Sequence, residues 1–319
     1  FDMAGVLSLY LVVMIVIAMG LQFYVMGRRR FDYLDSGTEQ VVPRKAGKGV
    51  TALLTVSCGL FSLVALGIPV GSNFIMSFSD SFSIEKFRFT LDNYQNVLQM
   101  DGALLTGIRH SLTLAAVAAV IGLLVGFAVA YILTYSQFKL KRLIDMLTLV
   151  AMAVPGVVLG IGYIFVWNQK WLQPLGLNLY GKPSILVLAS VASAVPLINR
   201  VLVGGMSKVP QELLTASQVQ GARLGRRLKT ILLPLLHSSM VSAVLAAFGG
   251  SVFNLAITTI LYPPNYSTLP VYISDSYNDL NFGYAAAATI VGGTFIVAIM
   301  LLLEVILNLG KRKRYADHT

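Results

Sequence analysis

The chain has 319 residues, of which 56% are hydrophobic and only 12% charged, with a mean hydropathy of +0.75. Soluble domains carry about 25% charged residues, and hiding this apolar excess from water would need a larger core than the length provides, so the solvent is lipid. The net charge of +10 does not indicate nucleic acid, because the basic residues fall in short clusters between apolar runs and not along one soluble face.

A helix crossing the roughly 30 Å hydrocarbon layer needs about 20 mostly apolar residues. Seven segments meet that need: 4–26, 50–75, 105–135, 143–167, 184–206, 231–256 and 285–308. The opening run, "FDMAGVLSLYLVVMIVIAMGLQFYVMGRRRF", has neither an initiator Met nor a basic n-region, which argues against a cleavable signal peptide. Residues 1–27 are expected to be the last span of a preceding half, cut from a longer polypeptide; an N-outside start is the alternative. Residues 28–49, "RRRFDYLDSGTEQVVPRKAGKG", read as a polar linker. The domain proper is expected over 50–310, with six spans, and 311–319 as a basic tail. The single Cys58 cannot form an intrachain disulfide.

The basic residues fix the expected orientation. One set of connections holds Arg28, Arg29, Arg30, Arg44, Lys45, Lys48, Lys139, Lys141, Arg142, Lys208, Arg223, Arg226, Arg227, Lys229, Lys311, Arg312, Lys313 and Arg314. The alternate connections hold only Lys86, Arg88, Arg109, Lys170 and Lys182. The positive-inside rule puts the first set, with the C-terminus and the loop 207–230, in the cytoplasm. The outside connections are then 76–104, 168–183 and 257–284, and "SFSIEKFRFTLDNYQNVLQMD" in the first of them reads as an amphipathic interfacial segment.

The loop between spans five and six, "VPQELLTASQVQGARLGRRLKTILLPLL", is unusually charged for this chain. Pro210 suits a first helical turn and Ser207 is placed to cap it. Leu213, Ala216 and Val219 or Gln220 recur at helical spacing. Gly221 breaks that helix, and the basic "ARLGRRLKT" forms a second element entering span six at Ile231. A short helix, a Gly bend and a second helix make a stiff bracket.

This bracket resembles the cytoplasmic loop of permease subunits in binding-protein-dependent ATP-binding cassette (ABC) importers. There a Glu-Ala-Ala triplet is followed by Gly four residues on, nine further residues, and Ile-x-Leu-Pro. Here the triplet position reads Thr215, Ala216 and Ser217, and Gly221, Ile231, Leu233 and Pro234 follow at matching distances. The lead-in Val209-Pro210-x-Glu212-Leu213 matches as well. The Glu and the second Ala of the triplet are replaced, which removes the family's charge at that position but keeps its small residues.

The resemblance implies an all-α membrane protein: a six-helix type I ABC importer transmembrane domain, preceded by one extra transmembrane helix. It implies a multi-pass subunit of the bacterial inner membrane that is not itself an enzyme. ATP and Mg would be bound by two separate ATP-binding cassette subunits, with Glu212, Arg223, Arg226 and Arg227 lining or flanking the dock; a solvated face is the alternative for each. The other implied partners are a second permease half, an extracytoplasmic substrate-binding protein and membrane lipid, with no nucleic acid. A ligand shifts a conformational equilibrium only by its differential affinity for the two states, so the bracket must be stiff enough to transmit ATP-driven closure.

The span 149–167, "LVAMAVPGVVLGIGYIFVW", is the most irregular. Pro155 removes a backbone hydrogen bond and is expected to kink the helix, while Gly156 and Gly160 permit close packing. The matching segment in the family, which here includes Tyr163, lines the translocation path; packing alone is the other reading for the glycines. Asn254, Thr258 and Thr259, near the end of span six, face either a water-filled path or a neighbouring helix. The intramembrane ionisable residues Asp145, Arg200, His237 and Glu304 all lie near the basic ends of their spans, where snorkelling or interface pairing explains them. A proton-coupled secondary transporter, the competing class, would be expected to carry a midplane carboxylate or His, and none is evident. A membrane scaffold without transport is the other competitor. His110, His237 and His318 are scattered and suggest no metal site.

The segments "TLDNYQNVL", "AVPGVVLGIGYIF" and "LYPPNYSTLPVYI" look most like the ferric-iron branch of the family. Polyamine and aminoethylphosphonate importers share much of the pattern. Where the iron branch often has a Glu within the segment 253–257, this chain has Asn254 and Ala256.

Overall fold

The computed structural model describes residues 2–28, 47–80, 88–99 and 102–316. Most of the expected linker, part of the expected interfacial segment and the end of the basic tail lie outside them. The described residues form helices α1 (Asp2–Arg28), α2 (Lys48–Ser77), α3 (Asp92–Gln99), α4 (Ala103–Tyr135), α5 (Lys141–Ala153), α6 (Gly156–Trp167), α7 (Pro183–Met206), α8 (Gln211–Val219), α9 (Leu224–Val252), α10 (Leu255–Leu261), α11 (Leu269–Asn278) and α12 (Phe282–Ala316). Helices α2, α4, α7, α9 and α12 are each long and apolar enough to cross a membrane.

The span expected over 143–167 is not one kinked helix. Helices α5 and α6 meet at 108°, with Val154 and Pro155 extended between them. Whether this pair crosses is settled by its neighbours. The hydroxyl of Tyr135, at the end of α4, donates to the carbonyls of Met206 and Val209, just past the end of α7. Leu114, early in α4, packs with Ile185 and Leu186, early in α7. Helices α4 and α7 therefore run parallel, and the chain between them must return from one end of the bundle to the other. The bent pair is a broken crossing, which makes six among the described residues of the domain.

Helix α9 also differs from expectation. It begins at Leu224, so "LGRRLKT" is its first turns and not a separate element, and it stops at Val252. Two spans contain a turn widened to the i→i+5 pattern, at Leu63–Gly67 in α2 and Leu228–Leu232 in α9. Each ends just before an X-Pro pair, Ile68-Pro69 and Leu233-Pro234. Proline cannot donate to the carbonyl four residues back and its ring presses on it; a wider turn relieves both problems while the helix continues.

In lipid, small residues decide which faces meet. A Cβ on Gly122 or Gly126 of α4 would come within 2.9 Å and 2.8 Å of Ile198 side-chain atoms on α7. Ala115, Ala118, Ala119 and Ala130 extend this α4 face, all buried. Helix α9 closes the trio, with Gly205 of α7 against Ser239 and Leu236. Helix α2, by contrast, has no buried residue before Ser77, and α1 packs against α5 and α6.

Candidate functional site

The bracket lies at the end of the bundle shared by Tyr135 and Met206. Buried Val209 and Leu214 anchor it, and the Tyr135 hydroxyl ties its base to α4. Pro210 precedes the first turn of α8 without a side-chain cap. Ser207, the expected cap, instead donates to the carbonyl of Gly204 at 3.0 Å. The helix end is closed by backbone alone. Gly221 has φ +81°, its N–H donates to the Gln218 carbonyl at 2.9 Å, and that of Ala222 to the Ser217 carbonyl at 3.0 Å. This is the paired 5→2 and 6→1 closure that a left-handed residue after a helix makes possible. A Cβ on Gly221 would meet nothing within 4 Å, so glycine serves the bend here and no close approach within this chain. Arg227 Nη1 then donates to Gln218 Oε1 at 3.0 Å, bracing α8 against the start of α9.

With Leu214 turned inward, the rest of α8 faces out. Gln211, Glu212, Thr215, Ala216 and Val219 line a shallow hollow, and Val219 is 84% exposed. The hydroxyls of Thr215 and Ser217 are satisfied within the helix, on the carbonyls of Gln211 and Leu214 at 3.0 and 2.9 Å. Glu212 is therefore the one carboxylate of the α8 surface. Arg223 and Arg226, past the end of α8, are exposed. Ile231 and Leu233 are half-buried and Pro234 is exposed, while the intervening Leu232 enters the core.

The residues weighed for a translocation path gather at two helix breaks near the opposite end. Helix α6 starts at Gly156, after extended Pro155. Helix α10 starts after Asn254, whose Oδ1 accepts from the Ile257 N–H at 3.0 Å and caps it. The two helices touch through glycine: a Cβ on Gly156 would lie 3.0 Å from that of Ala256, and one on Gly160 would lie 3.2 Å from Ile260. The Tyr163 hydroxyl donates to the Leu188 carbonyl at 3.4 Å. Thr258 is buried and donates to the Asn254 carbonyl; Thr259 is exposed.

Arg200 and Asp145 pair at 2.6 Å, as interface pairing of the intramembrane charges requires. Two of their companions, Thr148 and fully buried Asn199, were not singled out from sequence. A polar residue one position before a membrane Arg was the available signal. Beyond the other end, α11 is fixed onto α4. The Leu269 N–H donates to Ser111 Oγ at 2.9 Å, and His110, stacked on Tyr266, contacts the Ser267 carbonyl at 2.9 Å. The Tyr272 phenol is held above its usual range, first by burial and then by its bond to the Tyr284 hydroxyl, so it stays neutral. Among the described residues no three His, Cys, Asp or Glu side chains gather to hold a metal.

Residues 118–314 match the model of the family described as "binding-protein-dependent transport system inner membrane component". A protein of Salmonella paratyphi A assigned as a 2-aminoethylphosphonate transport system permease, PhnV, is 30% identical over 80% of this chain and 92% of its own length. The ferric transport system permease protein FbpB of Actinobacillus pleuropneumoniae is 25% identical over 73% of this chain, which spans about a third of that protein (33%). Among solved structures, a chain of a bacterial ABC transporter involved in import of the acidic polysaccharide alginate superposes with a TM-score of 0.65 at 15% identity, covering 83% of this chain and 96% of that one. A chain of the inward-facing MetNI methionine ABC transporter gives 0.52 at 19% identity, covering 66% and 95%. The fold is that of an ABC importer transmembrane domain.

Proposed function

The chain belongs to the binding-protein-dependent transport system inner membrane components, and from that premise we propose that it forms the translocation path of an ATP-driven importer and is driven through α8 by a separate ATPase. The observation that carries this reading is the outward face of α8. A nine-residue helix, closed by Gly221 and braced by Arg227, leaves Leu213 and Val219 exposed at 48% and 84%. Exposed apolar side chains on a stiff, charged loop outside the lipid are best accounted for by a protein partner. ATP and Mg then belong to that partner, and the bracket and its basic residues lie in the cytoplasm. A second permease half and an extracytoplasmic binding protein complete the assembly.

For the substrate we propose ferric iron, supported by the "TLDNYQNVL", "AVPGVVLGIGYIF" and "LYPPNYSTLPVYI" segments and by the likeness to FbpB. The relative assigned to 2-aminoethylphosphonate, matched over nearly its whole length, favours that compound as a second reading. Uptake of radiolabelled ferric iron and of 2-aminoethylphosphonate, in cells carrying the complete transporter, distinguishes the two. The coupling role predicts that uptake stops when ATP hydrolysis is blocked with the proton gradient intact; uptake that continues would assign the chain to a secondary transporter.

A further inference from the structure

The two halves of the broken crossing share α1 and α7 as neighbours but are tied to α7 at different points. Near the bracket, Arg200 Nη2 donates to Asp145 Oδ1 at 2.6 Å, to the Asp145 carbonyl at 3.0 Å and to Thr148 Oγ1 at 2.9 Å. Asn199 Nδ2 adds a bond to Thr148 Oγ1 at 3.3 Å. These bonds join α5 to the last two turns of α7, directly before the bracket. They matter because α5 has no fully buried residue, so apolar packing holds it only loosely. Helix α6 is attached elsewhere: to α10 through Gly156 and Gly160, and to the opposite part of α7 through Tyr163 and Leu188.

A proline separates the two attachments on each segment. Pro155 stands between α5 and α6, and Pro196 lies inside α7 between Leu188 and Asn199. Pro196 has no N–H, which leaves the Ala192 carbonyl without its helical donor. The two prolines differ in setting: Pro196 is buried in a continuous α7 whose next turn, at Ile198, is locked against Gly122 and Gly126, whereas Pro155 is extended between two helices that meet at 108°.

We propose that Arg200 is the positioning residue that clasps α5 to the bracket-side end of α7, so that α5 follows α8 about a joint at Pro155. This rests on the reading of α8 as the coupling helix. A guanidinium suits the task because it keeps its charge, and here its Nη2 reaches both the backbone and the side chains of α5. The buried Asn199 Oδ1 and Arg200 Nε have no hydrogen-bond partner; an orphaned buried group calls for a reason, and spare capacity beside a moving clasp supplies one. When α5 follows α8, the angle at Val154–Pro155 changes and α6 keeps its seat on α10.

The test uses the complete transporter with its ATPase and binding protein, reconstituted in lipid vesicles. Ferric iron and 2-aminoethylphosphonate are both offered as probes, with rates expressed per inserted protein. Arg200→Met and Asp145→Asn should each lower the substrate moved per ATP hydrolysed by about tenfold while hydrolysis continues. A merely structural ion pair would lower the amount inserted and leave that ratio unchanged, which would overturn the proposal. The second variant carries Asp145→Cys and Arg200→Cys in a Cys58→Ser background, joined by a short thiol-specific cross-linker. The tether should restore coupled transport; a tethered protein that stays uncoupled or stops transporting would also overturn the clasp. Substrate that still moves when ATP hydrolysis is blocked would instead overturn the importer reading beneath it.

Discussion

The two short helices that interrupt the membrane pattern are built in opposite senses. Helix α10 begins with a side-chain cap from Asn254 and buries Ile257, Thr258 and Leu261 within its own chain. Helix α8 has no side-chain cap, ends on a left-handed glycine, and buries only Leu214. A short helix of about two turns is marginal in isolation and needs tertiary packing. Helix α10 finds that packing inside the molecule. Helix α8 is held at its ends, by Val209, Tyr135 and Arg227, and keeps its long face free, as the proposed dock for another protein requires.

That contrast can be broken most severely at Gly221. Gly221→Arg forces a side chain into left-handed backbone at a cost of about 1–2 kcal/mol, and nothing nearby obstructs it. The protein should still insert while ATP-driven uptake is abolished; normal uptake, measured per inserted protein, would remove the bracket from the mechanism. Gly160→Leu acts at the other helix. Its Cβ already lies 3.2 Å from Ile260, so overpacking should cost about 1–3 kcal/mol, read as a lower midpoint in thermal unfolding of the purified protein. Val219→Asp sharpens the comparison from the opposite direction. At 84% exposure it should leave unfolding within about 0.5 kcal/mol of the parent, yet weaken co-purification of the ATPase by roughly 1 kcal/mol or more. Equal recovery of the ATPase would show that this face is not the dock. The smallest effect is expected for Asn254→Ala, which removes one cap and should cost about 1 kcal/mol of stability, with ATPase recovery unchanged.

Much of this architecture could be read along the chain. The apolar runs between 50 and 308 located the long helices of the domain, the charges marked one end of the bundle, and the spacing of Pro210, Gly221 and Pro234 outlined the bracket. These signals are local, because hydropathy, helix breaking and left-handed backbone are properties of one residue and its immediate neighbours. The cap at Ser207 was misread because its hydroxyl bonds back to Gly204 and never reaches α8. In lipid the usual periodicity loses its force, since nearly every face of a span is apolar and none is forced inward by water. The Gly122–Gly126 pair on α4 was a legible cue to a packed face, but its partner Ile198 was not.

What the sequence by itself determined is the solvent, the placement of the long apolar runs and the position of the stiff charged loop among them. Only the tertiary structure decided that α4 and α7 run parallel, that the fourth crossing breaks by 108°, and that its halves are claimed by Arg200 on one side and α10 on the other. Pro155 makes such a break permissible, since it removes a hydrogen bond wherever it stands. The angle itself depends on Ala256 and Ile260, about a hundred residues away, meeting a backbone that glycine has left bare.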